Sequence, residues 1–245
     1  MPRNFRITIE YDGGNYAGWQ CQKNARTVQG EIESALAAMV GRPVRLSASG
    51  RTDAGVHALG QVANFHCDTR LSPETLQKGL NSMLDGDIVI RDCREAADGF
   101  HARFDAMGKT YHYHILNRPL PSAIHRRHVW FIRKPLDVAA MQRAADLLTG
   151  EHDFSAFEGA GSPRAHAVRT VLSARFEAEG DGRIVFQISA NGFLRFMVRN
   201  IVGTLVTVGH HRIPPEEFKA VLESRDRRRA GATAPPQGLF LMKVW

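Results

Sequence analysis

Ser47-Ala48-Ser49-Gly50-Arg51-Thr52-Asp53-Ala54-Gly55-Val56-His57-Ala58-Leu59-Gly60-Gln61 reads as a loop between two strands. An apolar-alternating run through Val44, Leu46 and Ala48 enters it, and Ala63, Phe65 and Cys67 continue the alternation beyond it. Gly50, Gly55 and Gly60 fall inside, where a simple hairpin needs only about two turn residues. The connection is therefore long and shaped, and it presents Arg51, Thr52, Asp53 and His57. A carboxylate beside a guanidinium on a loop braced by strands is a place where chemistry can be done. The plain alternative is a structural aspartate capping a turn.

Outward from this loop, residues 5–10 alternate as a strand with Phe5, Ile7 and Ile9 on one face. Gly13, Gly14 and Gly18 make a loop carrying Tyr16, Trp19 and Gln20. Val28, Ile32, Ala35, Leu36 and Met39 recur at helical spacing, and Gly41 and Pro43 close that helix. Ser72-Pro73 is an N-cap and first-turn proline for a helix to about residue 84, before a strand over 88–94. The order is β-α-β-β-α-β, a split unit of ferredoxin-like type.

The same order recurs downstream. A strand spans 109–116, and Asp137 caps a helix whose buried face holds Val138, Met141, Ala144, Ala145 and Leu148, closed by Gly150. Gly180-Asp181-Gly182 turns a hairpin of strands 168–177 and 183–190. A helix over 193–208, an extra helix near 215–223 and a last strand over 239–245 complete it. The expected fold class is α/β (α+β), with two ferredoxin-like halves, 1–105 and 106–245. Together they are expected to form one extended mixed sheet flanked by helices, with a cleft at the junction.

Composition narrows the partners. The chain has 245 residues and 43% apolar content, enough for a substantial core. No run approaches the ~20 apolar residues of a membrane span, and no apolar signal region opens the chain. Cys21, Cys67 and Cys93 lack metal or disulfide spacing, so a reducing, cytoplasmic setting is expected. Thirty-two basic residues oppose 25 acidic ones, a net charge of +7 that suits a polyanion. Arg126-Arg127 lies between His125 and His128, and four arginines surround Asp226 between Arg225 and Arg229. Such runs are either phosphate contacts or solvated surface, and the stretch 225–236 is expected to be irregular. His112 and His114 share a strand face without a third ligand at fixed spacing, so no metal enzyme is expected.

Gly50-Arg51-Thr52-Asp53-Ala54-Gly55-Val56-His57-Ala58 resembles the catalytic signature of the tRNA pseudouridine synthase A family. The resemblance extends through Tyr11-Asp12-Gly13, Gly18-Trp19-Gln20, Thr27-Val28-Gln29, Phe100-His101-Ala102-Arg103-Phe104, Tyr111 and Asp153-Phe154. It continues through Met197-Val198-Arg199-Asn200-Ile201-Val202-Gly203 and Gly238-Leu239-Phe240-Leu241. It implies an isomerase that turns uridine into pseudouridine at positions 38 to 40 of the tRNA anticodon stem-loop. The reaction needs no cofactor, and the resemblance implies a homodimer acting on tRNA away from any membrane. It assigns Asp53 as catalytic nucleophile, acting at the base or at the sugar. Arg199 is implied as the charge that favours ionised Asp53, and Tyr111 as a ring against the uracil with a hydroxyl for proton exchange. Leu239 is implied to pack on the base, and Arg51 to help extrude the nucleotide. Asp53 belongs to the first half and Tyr111, Arg199 and Leu239 to the second. The competing reading is a non-catalytic RNA-binding module, which would gain nothing from a carboxylate in a phosphate groove.

Overall fold

The computed structural model describes residues 2–161 and 166–245. Its described residues form a mixed α/β fold of ten strands and five α-helices, divided into two compact units. The first comprises 1–107 and 240–245, and the second comprises 108–239.

In the first unit, β1 (Arg3–Tyr11) is followed by α1 (Val28–Val40), β2 (Ser47–Ala48), β3 (His57–Cys67), α2 (Pro73–Met83) and β4 (Ile88–Glu95). β1 lies between β4 and β3 and is antiparallel to both. Its odd-numbered residues Phe5, Ile7, Ile9 and Tyr11 are buried, the period of two that the sequence predicts. Thr27 caps α1 by accepting from the Gly30 amide, and left-handed Gly41 ends it. Ser72 caps α2, with Pro73 in the first turn. Along its other edge β3 is joined by β2 at Asn64 and Ala63, and in parallel by the terminal strand β10 (Leu239–Val244) at His57 and Ala58.

Nearly all of β3 is buried, polar residues included, so its burial does not follow the alternation read from Ala63, Phe65 and Cys67. Its buried amides are satisfied by the segment after β4. Asn64 donates to the Phe100 carbonyl at 3.2 Å and accepts from the Ala102 amide at 2.9 Å. Asn4 donates to the carbonyls of Ala97 and Phe100 at 2.8 and 2.9 Å. The Phe100–Phe104 motif is thereby tied across β1 and β3.

In the second unit, β5 (Lys109–Asn117), β6 (Trp130–Ile132), α3 (Val138–Asp146), β7 (Gly150–Asp153), β8 (Val168–Gly180) and β9 (Arg183–Ala190) follow in order. α4 (Met197–Gly209) and α5 (Pro215–Ser224) come next. β9 pairs with β5 and β8, β7 extends the far edge of β8, and β6 runs parallel to the end of β5. Asp137 caps α3 through the Ala140 amide, as its position in the sequence predicts. α3 packs against α4, α5 and β8, burying Ala140, Met141, Ala144 and Ala145.

Three local features depart from the sequence expectation. β6 and β7 are three and four residues long, too short for a period of two to declare itself. The helix expected from 193 starts at Met197. Apolar spacing does run through Phe193 and Leu194, but Phe196 adopts φ 61°, a left-handed backbone that hydropathy cannot register.

Candidate active site

In the first unit the Asp53 peptide is pinned on both sides. The Trp19 amide donates to the Thr52 carbonyl at 3.1 Å, the Gly55 amide to the Tyr16 carbonyl at 3.4 Å, and the Val56 amide to the Asp53 carbonyl at 3.2 Å. The loop after β1 is thus laced to the loop before β3. Gly18 makes this approach possible. Its φ is +94°, and a Cβ there would lie 2.7 Å from the Thr52 carbonyl oxygen.

Side chains lock the same peptide from the strands. The hydroxyls of Tyr11 and Thr52 are 2.8 Å apart and buried, and Tyr11 is also hydrogen-bonded by the Gln61 side chain. Gln61 itself is fully enclosed. Its oxygen accepts from the Ser49 hydroxyl at 2.7 Å and from the Val62 amide at 3.2 Å, while its nitrogen donates to the Gly50 carbonyl at 3.0 Å. Burial pushes the Tyr11 hydroxyl well above its usual pKa, and the Thr52 and Gln61 bonds only partly oppose this. Tyr11 therefore stays protonated at working pH and serves as a fixed hydrogen-bonding post. Held between these anchors, Arg51 is exposed and Asp53 half-buried.

His57 is structural rather than displayed. Its ring is buried and stacked on Phe240 at a centroid distance of 4.6 Å. Its Nδ1 accepts from the Gly13 amide at 3.1 Å and lies 3.0 Å from an Asp12 carboxylate oxygen. Asp12 in turn accepts from the Gly14 amide at 2.9 Å. The Tyr11-Asp12-Gly13 and Val56-His57 motifs are thus two sides of one joint.

In the second unit α4 is buried along almost its whole length, and Arg199 is one of its few half-buried residues. The segment 227–234 lies directly on this helix. A Cβ on Gly203 would fall 1.7 Å from the Ala232 carbonyl oxygen, so only glycine admits the contact. Arg199 Nε donates to the Ala234 carbonyl at 2.8 Å, and the Ala234 amide returns a bond to the Arg199 carbonyl at 3.1 Å. The guanidinium carbon sits 5.0 Å from the centroid of the Phe196 ring. Asn200, fully buried, fixes the segment. Its oxygen accepts from the Thr233 hydroxyl at 2.6 Å and from Arg227 at 3.0 Å, and its nitrogen donates to the Phe157 carbonyl at 2.7 Å.

The arginine run therefore has internal partners. Arg225 pairs with Asp153 at 3.3 Å, and half-buried Arg227 with Asn200 and Thr233. Arg228 binds Asp226 at 2.7 Å, and its hydrogen bonds hold that carboxyl down at about 2. Tyr111 is buried on β5, its ring edge-on to Phe193 at 5.0 Å. Leu239 is buried at the start of β10. The His112 and His114 rings lie 6.3 Å apart on β5.

A family model described as tRNA pseudouridine synthase matches residues 7–105 and 144–245. The chain belongs to that family. Among its relatives are proteins named tRNA pseudouridine synthase A from Acetivibrio thermocellus (48% identical, covering 99% of each chain) and from Thermoanaerobacter sp. strain X514 (48% identical, 99% of each). A third of that name, from Moorella thermoacetica, is 48% identical over 98% of each chain.

Of the four loop residues that the sequence of this pseudouridine synthase family member offered as presented, Arg51 is exposed and Asp53 half-buried, while Thr52 and His57 are buried as supports. Tyr11 lay inside a motif without a role, Thr52 read as presented by the loop, and Gln61 read as the loop's last residue, whereas all three are buried and Gln61 lies within β3. Asn200 carried a usable signal. An amide in an otherwise apolar helix is buried, and a buried amide needs partners.

Proposed function

We infer that this chain isomerises uridine to pseudouridine in tRNA, at the anticodon stem-loop and, among its uridines, at positions 38 to 40. The observation that carries this reading is the Gly50–Ala58 loop. It is the stretch that resembles the family's signature, and it presents one half-buried carboxylate on a peptide hydrogen-bonded from both flanks. In the reaction the N1–C1′ bond breaks, the freed uracil turns, and a C5–C1′ bond forms. C5 loses its proton and N1 gains one, so atoms balance and no electrons are exchanged.

Asp53 is proposed as the nucleophile, and a preset loop lowers the reorganisation its attack requires. Arg199 is proposed as the cation that keeps it ionised. Its orientation by Ala234 and Phe196 supports that role, because a guanidinium already fixed through Nε has its terminal nitrogens preset in direction. Tyr111 offers a ring and a hydroxyl to the base, Leu239 an apolar face, and exposed Arg51 a contact for the extruded nucleotide. The enzyme is proposed to work in the cytoplasm as a homodimer, with the division into halves at 1–105 and 106–245. The test is release of tritium from C5-labelled uridine in an anticodon-arm tRNA. Stoichiometric release is expected, and a protein that binds the tRNA without release is a binding module instead.

A further inference from the structure

Much of the 225–229 arginine run is held by Asp153, Asp226 and Asn200, and a second cationic stretch lies elsewhere in the second unit. Residues 106–136 contain six Lys or Arg and four His and no acidic residue. Within this stretch the loop after β5 carries an unusual combination. Ile124 is 82% exposed and Leu120 73% exposed, and His125, Arg126 and Arg127 beside them are exposed as well.

The loop is built to hold that shape. Arg118 Nε donates to the Leu120 carbonyl at 2.9 Å, and one terminal nitrogen to the Pro121 carbonyl at 3.4 Å. Its other terminal nitrogen pairs with Asp181 at 2.6 Å. Asp181 sits in the β8–β9 turn with a left-handed backbone, φ 49°. The His125 amide donates to the Ser122 hydroxyl at 3.1 Å and opens a short 3-10 turn over His125–Arg127. Two aliphatic side chains kept in water by a braced loop are an unfavourable surface unless something covers them.

Resting on the isomerase reading, we propose that this loop is a tRNA docking element: Arg126 and Arg127 contact backbone phosphates, and Ile124, with Leu120, lies against a base or sugar. Nucleic-acid binders use this pairing of cations with an aliphatic wedge. A second copy of the chain fits less well. Two such loops meeting across a twofold axis would oppose arginine to arginine, and two aliphatics fall far short of the ~800 Å² each partner buries in a standard interface.

The test measures binding of an unmodified tRNA transcript to the full chain over a salt series, for the wild type, Arg126→Ala/Arg127→Ala, and Ile124→Ala. Thermal midpoints check folding, which these exposed positions should leave intact. The double variant should bind more weakly, with the slope of log affinity against log salt reduced by about two, one for each lost phosphate. Ile124→Ala should bind more weakly at an unchanged slope. A double variant with the wild-type slope overturns the phosphate contacts, and Ile124→Ala with wild-type affinity overturns the wedge. Sedimentation velocity adds the remaining outcome: a changed oligomeric state with unchanged tRNA affinity assigns the loop to a second copy. Wild-type tritium release on the same transcript tests the isomerase reading separately, so the two cannot fail unnoticed together.

Discussion

Removing one oxygen from Tyr11 tests whether the strands hold the catalytic loop. In Tyr11→Phe the ring stays in the core and only the hydroxyl is lost, leaving Thr52 without the partner it has at 2.8 Å. Both residues are buried, so no water replaces the bond freely. A buried polar group stripped of its partner costs about 1–3 kcal/mol. In a chain of this length that lowers the thermal midpoint by about 2–4 °C for each kcal/mol. Thr52→Val removes the other oxygen at nearly constant shape and should cost a similar amount, since Gln61 alone then serves Tyr11. The double variant replaces both partners by apolar groups and should cost less than the sum, with a coupling of about 1 kcal/mol. Catalysis should fall further than stability implies. Thr52 adjoins Asp53, and a displacement of the carboxylate by a fraction of an ångström lowers the chemical step by about 10- to 100-fold. Single-turnover rates at saturating enzyme, with tRNA affinity measured in parallel, read this directly. Wild-type turnover in both single variants, or additive losses in the double, would refute the idea that this bond positions Asp53.

Asn200→Ala strands Arg227, Thr233 and the Phe157 carbonyl, and should destabilise the fold by about 2–3 kcal/mol in denaturant titration. A loss under about 0.5 kcal/mol would show that the segment 227–234 is held by other means. Gly203→Ala places a methyl carbon against the Ala232 carbonyl and should cost about 3 kcal/mol, with turnover lost because Ala234 no longer orients Arg199. A stable, active variant would contradict that contact. His112 is held below its usual pKa, first by burial and then by the Arg175 charge. The unfolded chain therefore binds a proton the folded one resists, and stability should fall as pH drops through about 6.5. His112→Gln should flatten that limb of a thermal midpoint–pH curve; an unchanged limb would assign it to other groups.

What could be read from the sequence followed from how strongly each feature is encoded locally. Ser72 and Asp137 cap helices where a short polar side chain precedes an apolar repeat, and Phe5, Ile7 and Ile9 declare β1 by alternation. β6 and β7 stayed hidden because three or four residues carry too little pattern, and the true start of α4 because Phe196 turns by backbone sign alone. At the candidate site Thr52 and His57, read as presented, are buried, whereas exposed Arg51 and half-buried Asp53 were legible as motif residues. Their supports were not, since Tyr11 and Thr52 are 41 positions apart and only folding brings them together. The arginine run was legible as charge but not as partnership, because Asp153, Asn200 and Thr233 are distant in sequence.

Asp53 carries the central claim, and one measurement addresses it most directly. C5-tritium release from uridine in an anticodon-arm tRNA is followed under single turnover for the wild type and Asp53→Asn, with tRNA binding of both measured by filter retention. Complete release by the wild type and none by Asp53→Asn are expected, at affinities within a few-fold because phosphate contacts dominate binding. Tritium release by Asp53→Asn at a rate near that of the wild type would contradict the claim.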